Sequence, residues 1–305
     1  MKDNKIVDKI RQLKKKRNAI ILVHNYQPSE VQDIADFLGD SLGLSIQASK
    51  VNADVIVFCG VYFMAETAKI LSPQKIVLIP DKNAGCPLAD TITAQQLKEL
   101  KSQHPRAKVL CYVNTPAEVK AEADYCCTSA NAVGVVNKAL KDEEEIIFVP
   151  DKYLAHYVSR KTNRNFIVWQ GYCPVHANIS VEEVKRQKLL HPSAVVLVHL
   201  ECSPDVIELA DEVLSTEGMC KYAKKSKAKE IIVGTEVGII YRLEKENPYK
   251  KFYPLSERAI CSNMKIISLE KVLLSLEEMK EEVTLPKEII LSAEESICRM
   301  LEFRD

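Results

Sequence analysis

The chain has 305 residues, of which 47% are hydrophobic and 28% charged, a balance typical of a folded globular protein with a sizeable core. Its 42 basic and 42 acidic side chains cancel to zero net charge, which argues against the strongly basic face of nucleic-acid-binding proteins. No run of 18 apolar residues occurs, and the N-terminus lacks the apolar segment of a signal peptide. We therefore expect a cytoplasmic protein without a membrane span, whose ten cysteines are reduced.

Residues 1–17 form a basic amphipathic pattern, which predicts a terminal helix. Beyond them, short apolar runs rich in Val and Ile alternate with helix-like segments. The runs lie at 19–23, 55–58, 76–79, 109–113, 146–149, 167–169, 195–198 and 231–233. Each run is almost wholly apolar, as in strands buried on both faces, and the alternation with helices predicts parallel sheets.

Three segments of the chain resemble one another, at 20–36, 109–124 and 195–211. Each runs from an apolar strand through a polar tip and a proline to a closing Ala-Asp pair. Equivalent positions are 88 and then 87 residues apart in four columns: His24, Tyr112 and His199; Tyr26, Asn114 and Glu201; Asp36, Asp124 and Asp211; Ser41, Ser129 and Thr216. One register shared by all these columns predicts a triplicated unit.

The second half of each unit repeats as well, with the two offsets in the reverse order. Cys86, Cys173 and Cys261 are 87 and 88 residues apart, and Thr93, Ser180 and Ser268 follow them at predicted helix N-caps. The fold class expected is α/β, with three homologous α/β/α sandwich domains and parallel sheets. The predicted division is a helix at 1–17, repeat domains at 18–105, 106–192 and 193–280, and a helical extension at 281–305.

The cysteine column predicts a metal site. Ligands of parallel α/β units bind beyond the carboxyl ends of the strands. Three units packed around a pseudo-threefold axis, with these ends inward, bring Cys86, Cys173 and Cys261 together. Three thiolates with an open fourth position are typical of a catalytic site, and their softness allows zinc or an iron–sulfur cluster. The other seven cysteines have no threefold counterpart, and we expect most of them to be packing residues.

The hydroxyl column predicts an anion pocket. Ser41, Ser129 and Thr216 each precede a helix-like segment, where a hydroxyl and free backbone N–H groups can hold an anion. N-capping explains any one of them alone. Three hydroxyls in register at the ligand face favour a pocket for phosphate or carboxylate.

The strand ends supply groups suited to general acid–base catalysis. These groups are His24, Tyr26, Tyr112, Asn114, His199 and Glu201. By contrast, His104 and His191 precede prolines at equivalent positions and are interpreted as structural. Nothing beyond proximity to motifs supports a role for His156 or His176.

Long motifs of the chain resemble those of the quinolinate synthase family, from about residue 18 to 275. They read ILVHNYQPSEVQDIADFLGDSLGLS, KNAGCPLAD, YVNTPAEVKAEADYCCTSANAV, FVPDKYLAHYV, GYCPVHANIS and VHLEC. The resemblance implies three α/β/α domains around a pseudo-threefold axis and a [4Fe-4S] cluster with three cysteine ligands and one open iron. It also implies condensation of iminoaspartate with dihydroxyacetone phosphate, with loss of phosphate and two waters, to give quinolinate for NAD biosynthesis.

The resemblance implies a role for each matching residue. The cluster ligands are Cys86, Cys173 and Cys261, and the catalytic residues are Tyr26, Tyr112, His199 and Glu201. The substrate-binding residues are His24, Ser41, Tyr112, Val113, Asn114, Ser129, His199, Leu200, Glu201 and Thr216. A transient contact with the oxidase or dehydrogenase that produces iminoaspartate is a further implied partnership.

The chain departs from the family pattern at two places. Leu200 stands where the family's His-Pro-Glu motif has proline, although the outer residues His199 and Glu201 are kept. The segment 261–264 lacks the second cysteine that would suit a redox switch. Two other functions remain compatible with the residues: a different cluster-dependent hydro-lyase, and a non-enzymatic metal or redox sensor.

Overall fold

The polypeptide forms three parallel sheets of four strands in a computed structural model that describes residues 2–303. Met1 and residues 304–305, which belong to the predicted terminal helices, lie outside the described residues. Helices alternate with the strands throughout, so the fold is the expected α/β class with three α/β/α units. None of the described helices is both long and apolar enough to span a membrane.

The first sheet follows helix α1 (Lys2–Arg17). Its strands are β1 (Ala19–His24), β2 (Phe37–Gly39), β3 (Val55–Cys59) and β4 (Ile76–Leu78). Its helices are α2 (Ser29–Gln32), α3 (Ser41–Lys50), α4 (Tyr62–Leu71) and α5 (Ala94–Gln103). The strands lie in the order β2-β1-β3-β4, so a helical crossover joins each strand to the next.

The second and third sheets repeat this order. The second has β5 (Lys108–Tyr112), β6 (Tyr125–Cys127), β7 (Ile146–Val149) and β8 (Ile167–Val168), with α6 (Ala117–Lys120), α7 (Ala132–Lys138), α8 (Lys152–Thr162), α9 (Pro174–Ala177) and α10 (Val181–Leu190). The third has β9 (Val195–Val198), β10 (Glu212–Val213), β11 (Glu230–Gly234) and β12 (Lys251–Pro254), with α11 (Pro204–Ile207), α12 (Thr216–Lys225), α13 (Ile239–Glu246) and α14 (Leu269–Glu278); α15 (Lys287–Glu302) follows. The orders β6-β5-β7-β8 and β10-β9-β11-β12 match the first sheet.

The aspartate column has one structural role in all three units. The carboxylate of Asp36 accepts the backbone N–H of Ile21 at 2.7 Å, and that of Asp124 accepts the N–H of Val109 at 2.9 Å. Asp211 bonds the N–H of Val196 in the same way, at 2.7 Å. Each aspartate therefore ties the start of the second strand to the first strand of its own sheet.

The caps of three helices are those expected from the sequence. The hydroxyls of Thr93 and Ser180 accept a backbone N–H three residues on and form capping boxes with Gln96 and Glu183. Ser268 accepts the N–H of Lys271 in the same way. The register inferred from the sequence therefore extends to the starts of α5, α10 and α14.

Of the twelve strands within residues 2–303, eight coincide with predicted apolar runs and four do not. The unpredicted strands are β2, β6, β10 and β12. Three of these have only two or three residues, and all four lie at the edge of a sheet. An edge strand of this length needs no long apolar run, which explains why the hydrophobic pattern did not predict it.

The last helix of each predicted unit packs against the following unit in cyclic order. Helix α5 contacts α6, and α10 contacts α11. Helix α14 contacts β3 of the first sheet and also α1. The three units therefore interlock, and the division of the chain at 105, 192 and 280 stays a prediction.

Candidate active site and metal centre

One cavity of about 670 Å³, measured with the solvent at its mouth, lies where the carboxyl ends of the three sheets meet. Twelve of the fourteen predicted site residues line it: His24, Tyr26, Ser41, Cys86, Tyr112, Asn114, Ser129, Cys173, His199, Glu201, Thr216 and Cys261. Val113 and Leu200 are buried but do not line it. Equivalent residues from all three units thus converge, as packing around a pseudo-threefold axis requires.

Each of the three cysteines stands at the start of a helical turn. Its carbonyl oxygen accepts the backbone N–H four residues on, from Asp90, Ala177 and Lys265 in Cys86, Cys173 and Cys261 respectively. Its sulfur faces backbone N–H groups of the same turn: Leu88 and Ala89 for Cys86, His176 for Cys173, and Asn263 and Met264 for Cys261. The turns therefore offer hydrogen bonds to three thiolates.

The environment of the thiols opposes ionisation in the absence of a cation. Burial raises the pKa of Cys86 to about 12, although the facing N–H groups lower it. Burial likewise raises the pKa of Cys173 and of Cys261 above the ordinary value. A thiolate here needs a positive partner inside the cavity, which is what a metal centre provides.

His176 also lies in this site, although no repeated column indicates it. Its Nδ1 is 3.2 Å from Cys173 Sγ and 2.9 Å from Glu201 Oε2. The ligand atoms of Cys173, His176 and Glu201 lie within 4.8 Å of one another and can hold a metal ion. The only signal in the sequence is the spacing Cys173–His176, which places both residues on one helical turn.

A continuous chain of hydrogen bonds crosses the cavity wall. Tyr26 Oη is 2.5 Å from the Thr235 hydroxyl, which is 2.8 Å from His176 Nε2. His176 then meets Glu201 across 2.9 Å, and the hydroxyl of Tyr112 donates to Glu201 Oε1 at 2.5 Å. The chain joins groups from all three units, and each hydroxyl or imidazole in it can exchange a proton with its neighbour.

The pKa shifts fix the resting protonation of this chain. Burial raises the pKa of Glu201, but the adjacent His176 lowers it more strongly. The pKa of Glu201 is therefore about 2. Burial raises the pKa of Tyr112 well above its ordinary value, and Glu201 raises it further. Burial also raises the pKa of Tyr26. Glu201 is therefore ionised and both tyrosines are protonated near neutral pH.

His24 and His199 are neutral donors in the same cavity. Burial lowers the pKa of each to about 3. The backbone N–H of Tyr26 donates to His24 Nδ1 at 3.2 Å, and that of Glu201 donates to His199 Nδ1 at 3.3 Å. Since Nδ1 accepts, the proton of each neutral ring sits on Nε2, which remains available to donate to an anionic ligand.

Acidification is expected to destabilise the fold through these histidines. A folded pKa near 3 against about 6.5 in the unfolded chain means that their contribution is complete above pH 6.5 and is lost as the pH falls towards 3. The free energy of unfolding should drop by about 1.4 kcal/mol per histidine between pH 7.5 and 5.5. Anaerobic denaturant titration measures this free energy, and His24→Gln should remove about half of the combined effect of the two histidines.

The exposed His156 provides the control, because His156→Gln should leave the pH dependence of the unfolding free energy unchanged. An equal pH dependence in the His24→Gln and His156→Gln variants contradicts the account.

The three hydroxyls are not the caps of their helices. Ser41 and Thr216 are the first residues of α3 and α12, whose caps are Asp40 and Ser215. Ser129 lies three residues before α7, outside the helix. The three hydroxyls therefore do not make the capping bond, and all three residues line the cavity, Ser41 and Thr216 at helix starts.

Two carboxylates behind the cysteines were missed by the sequence reasoning. Glu236, which is fully buried, accepts the N–H of Cys261 at 3.1 Å and pairs with Lys265 at 2.9 Å. Asp151 occupies the equivalent position after β7 and faces the N–H of Cys173. Both lie two residues after the third strand of their unit, so an acidic residue just after these two apolar runs was the available signal.

Comparisons with known proteins point to one family. A family model described as Quinolinate synthetase A protein matches residues 8–302. A protein of Dehalococcoides mccartyi strain CBDB1 named quinolinate synthase is 56% identical over 296 residues, covering 97% of each chain. Proteins of Thermodesulfovibrio yellowstonii, named quinolinate synthase, and Methanosarcina acetivorans, named quinolinate synthase 1, are 54% and 53% identical over 98% or more of either chain.

Proposed function

The chain belongs to the quinolinate synthetase A protein family and has its quinolinate synthase activity in NAD biosynthesis, and from this premise we propose how the cavity performs the reaction. The substrates are iminoaspartate and dihydroxyacetone phosphate, which condense to quinolinate with loss of phosphate and two waters. The observation that carries the proposal is the convergence of one cysteine from each unit beside the Glu201 hydrogen-bond chain.

Cys86, Cys173 and Cys261 are proposed to hold a [4Fe-4S] cluster. The donor set fits this group: three thiols from separate turns line one cavity, and each sulfur faces backbone N–H groups that stabilise a thiolate. Among the described residues no fourth cysteine lines the cavity, so one iron is left without a cysteine ligand. When bound, the cluster supplies Lewis-acid polarisation of a substrate oxygen for dehydration.

Glu201 and Tyr26 are proposed as the proton-transfer groups, with Tyr112 orienting the substrate. Glu201 is ionised and can only accept, whereas Tyr26 keeps its proton until the reaction needs it. Thr235 and His176 connect the two, so a proton taken up at Glu201 Oε2 can be returned at Tyr26 Oη. His199 stacks on His176 with ring centroids 4.6 Å apart and holds its plane in place.

Neutral hydrogen-bond donors are proposed to bind the anionic groups of the substrates. Ser41, Ser129 and Thr216 hold phosphate or carboxylate oxygens, and the Nε2–H groups of His24 and His199 hold carboxylates. Asn114, whose amide nitrogen is 3.4 Å from Glu201 Oε1, lines the same wall. Roles for Val113 and Leu200 rest on the motif resemblance alone.

A cytoplasmic location and a transient contact with the enzyme that supplies iminoaspartate complete the proposal. The ten cysteines suit a reducing compartment. An imine hydrolyses readily in water, so a short path from its source favours the condensation.

Product analysis tests the proposed reaction directly. Purified holoenzyme is incubated anaerobically with dihydroxyacetone phosphate and freshly generated iminoaspartate, and the products are identified by mass spectrometry. Quinolinate and one equivalent of inorganic phosphate are expected. A cluster-containing protein that releases a different dehydration product would instead be another hydro-lyase.

A further inference from the structure

Thr216 differs from the other two members of the hydroxyl column. Its Oγ1 is 3.0 Å from the side-chain nitrogen of Asn25, which is fully buried. No such side-chain partner is recorded for Ser41 or Ser129 within residues 2–303. The contact joins the first unit, which carries Asn25 at the end of β1, to the third unit, which carries Thr216 at the start of α12.

The orientation of the Asn25 amide is fixed by Arg242. Arg242 Nη1 donates to Asn25 Oδ1 at 2.8 Å, and a guanidinium group can only donate. The amide oxygen must therefore face Arg242, and the NH₂ group must face Thr216. Arg242 is itself held by Glu217 at 2.9 Å and by Glu246 at 2.7 Å, with its side chain 11% exposed.

The orientation of the Asn25 amide also sets the direction of its hydrogen bond with Thr216. An amide NH₂ can only donate, so Thr216 Oγ1 accepts from Asn25 and its own proton is left for another acceptor. Thr216 lines the cavity, and the proton is therefore available to an oxygen of a bound anion. The backbone at Asn25 is fixed as well, because Gln32 donates to its carbonyl at 3.1 Å.

The repeat supplies an internal comparison. Asn25 is equivalent to Val113 and Leu200, at the same offsets of 88 and 87 as the four columns. Both of these residues are buried and apolar. The polar side chain at this position therefore occurs in the first unit alone, opposite the hydroxyl that it contacts in the third.

We propose that Asn25 and Arg242 are positioning residues that leave the proton of the Thr216 hydroxyl free to be donated to an anionic group of the substrate. This inference rests on the proposed function for the identity of the substrate. The group held is a phosphate or a carboxylate, which accepts hydrogen bonds and donates none near neutral pH.

Asn25→Asp tests the direction of the bond with almost no change of shape. The new carboxylate still pairs with Arg242, but it takes the Thr216 proton that the substrate otherwise receives. Inorganic phosphate and succinate serve as probes in calorimetric titration of the cluster-containing enzyme. The dissociation constant of one of them should rise about ten- to hundred-fold, the range for a lost hydrogen bond to a charged group. Unchanged constants for both overturn the proposal.

A double-mutant cycle separates positioning from a merely structural role. Asn25→Asp should raise the KM of one substrate ten-fold or more with kcat within about three-fold, and the same change should have little effect in a Thr216→Val background. Equal losses in both backgrounds would show that Asn25 does not act through Thr216. Asn25→Leu, which introduces the residue found at the third unit's equivalent position, replaces Asn25→Asp if the latter loses its cluster absorbance. Quinolinate formation by the parent enzyme, measured in parallel, tests the proposed function separately from the anion titration.

Discussion

Replacing Cys86, Cys173 or Cys261 singly by Ala is expected to abolish the broad absorbance at ~400 nm of a thiolate-bound iron–sulfur centre, and quinolinate formation with it. In the described part of the chain, each unit has one thiol that lines the cavity, and it belongs to one of these cysteines. The other two thiols cannot replace it because each is fixed on its own helical turn. The visible spectrum and the rate of product formation of the three anaerobically purified variants measure the effect.

Cys59 supplies the matched control, since it is buried in β3 and does not line the cavity. Cys59→Ala removes a thiol of the same kind and should retain both the absorbance and the activity. A cavity-lining variant that keeps its cluster and its turnover removes that cysteine from the ligand set.

Glu201→Gln is expected to keep the cluster absorbance and to lower kcat by about 10²–10⁴, the usual contribution of a general acid–base group. Glu201 accepts hydrogen bonds from Tyr112 at 2.5 Å and contacts His176 at 2.9 Å. The amide keeps the shape of the carboxylate, but it places a donor at one of these contacts and cannot take up a proton. Steady-state kinetics with both substrates measures the loss.

Glu208→Gln is the control for this variant. Glu208 lies seven residues further along the same unit, and its exposed side chain pairs with Arg160 on the surface at 2.8 Å. Its replacement should leave kcat unchanged. A near-normal rate for Glu201→Gln would take Glu201 out of the proton-transfer chain.

The repeat made much of the fold and the site predictable. Residues that recur at spacings of 87 and 88 have the same structural role in each unit. Asp36 and its equivalents bind the strand before them, and Thr93 and its equivalents cap helices. The cysteine column could be placed at one centre because strand ends of parallel units face the same side. The residue type and the repeat were together sufficient to predict that the three cysteines lie in one cavity.

Contacts between units could not be predicted in this way. His176 enters the site because it meets Glu201 of the next unit, and Asn25 because it meets Thr216 and Arg242. Such pairs are far apart in the chain and break the threefold pattern, so neither spacing nor a shared column indicates them. The same holds for α14, which leaves its own sheet to pack on β3.

The iron and acid-labile sulfide content of the anaerobically purified protein, with its visible spectrum, tests the convergence of the three cysteines most directly. The account predicts about four irons and four sulfides per chain, with the absorbance at ~400 nm lost on substitution of any one ligand. A protein that binds a single zinc ion, or that is colourless and fully active without iron, would contradict it.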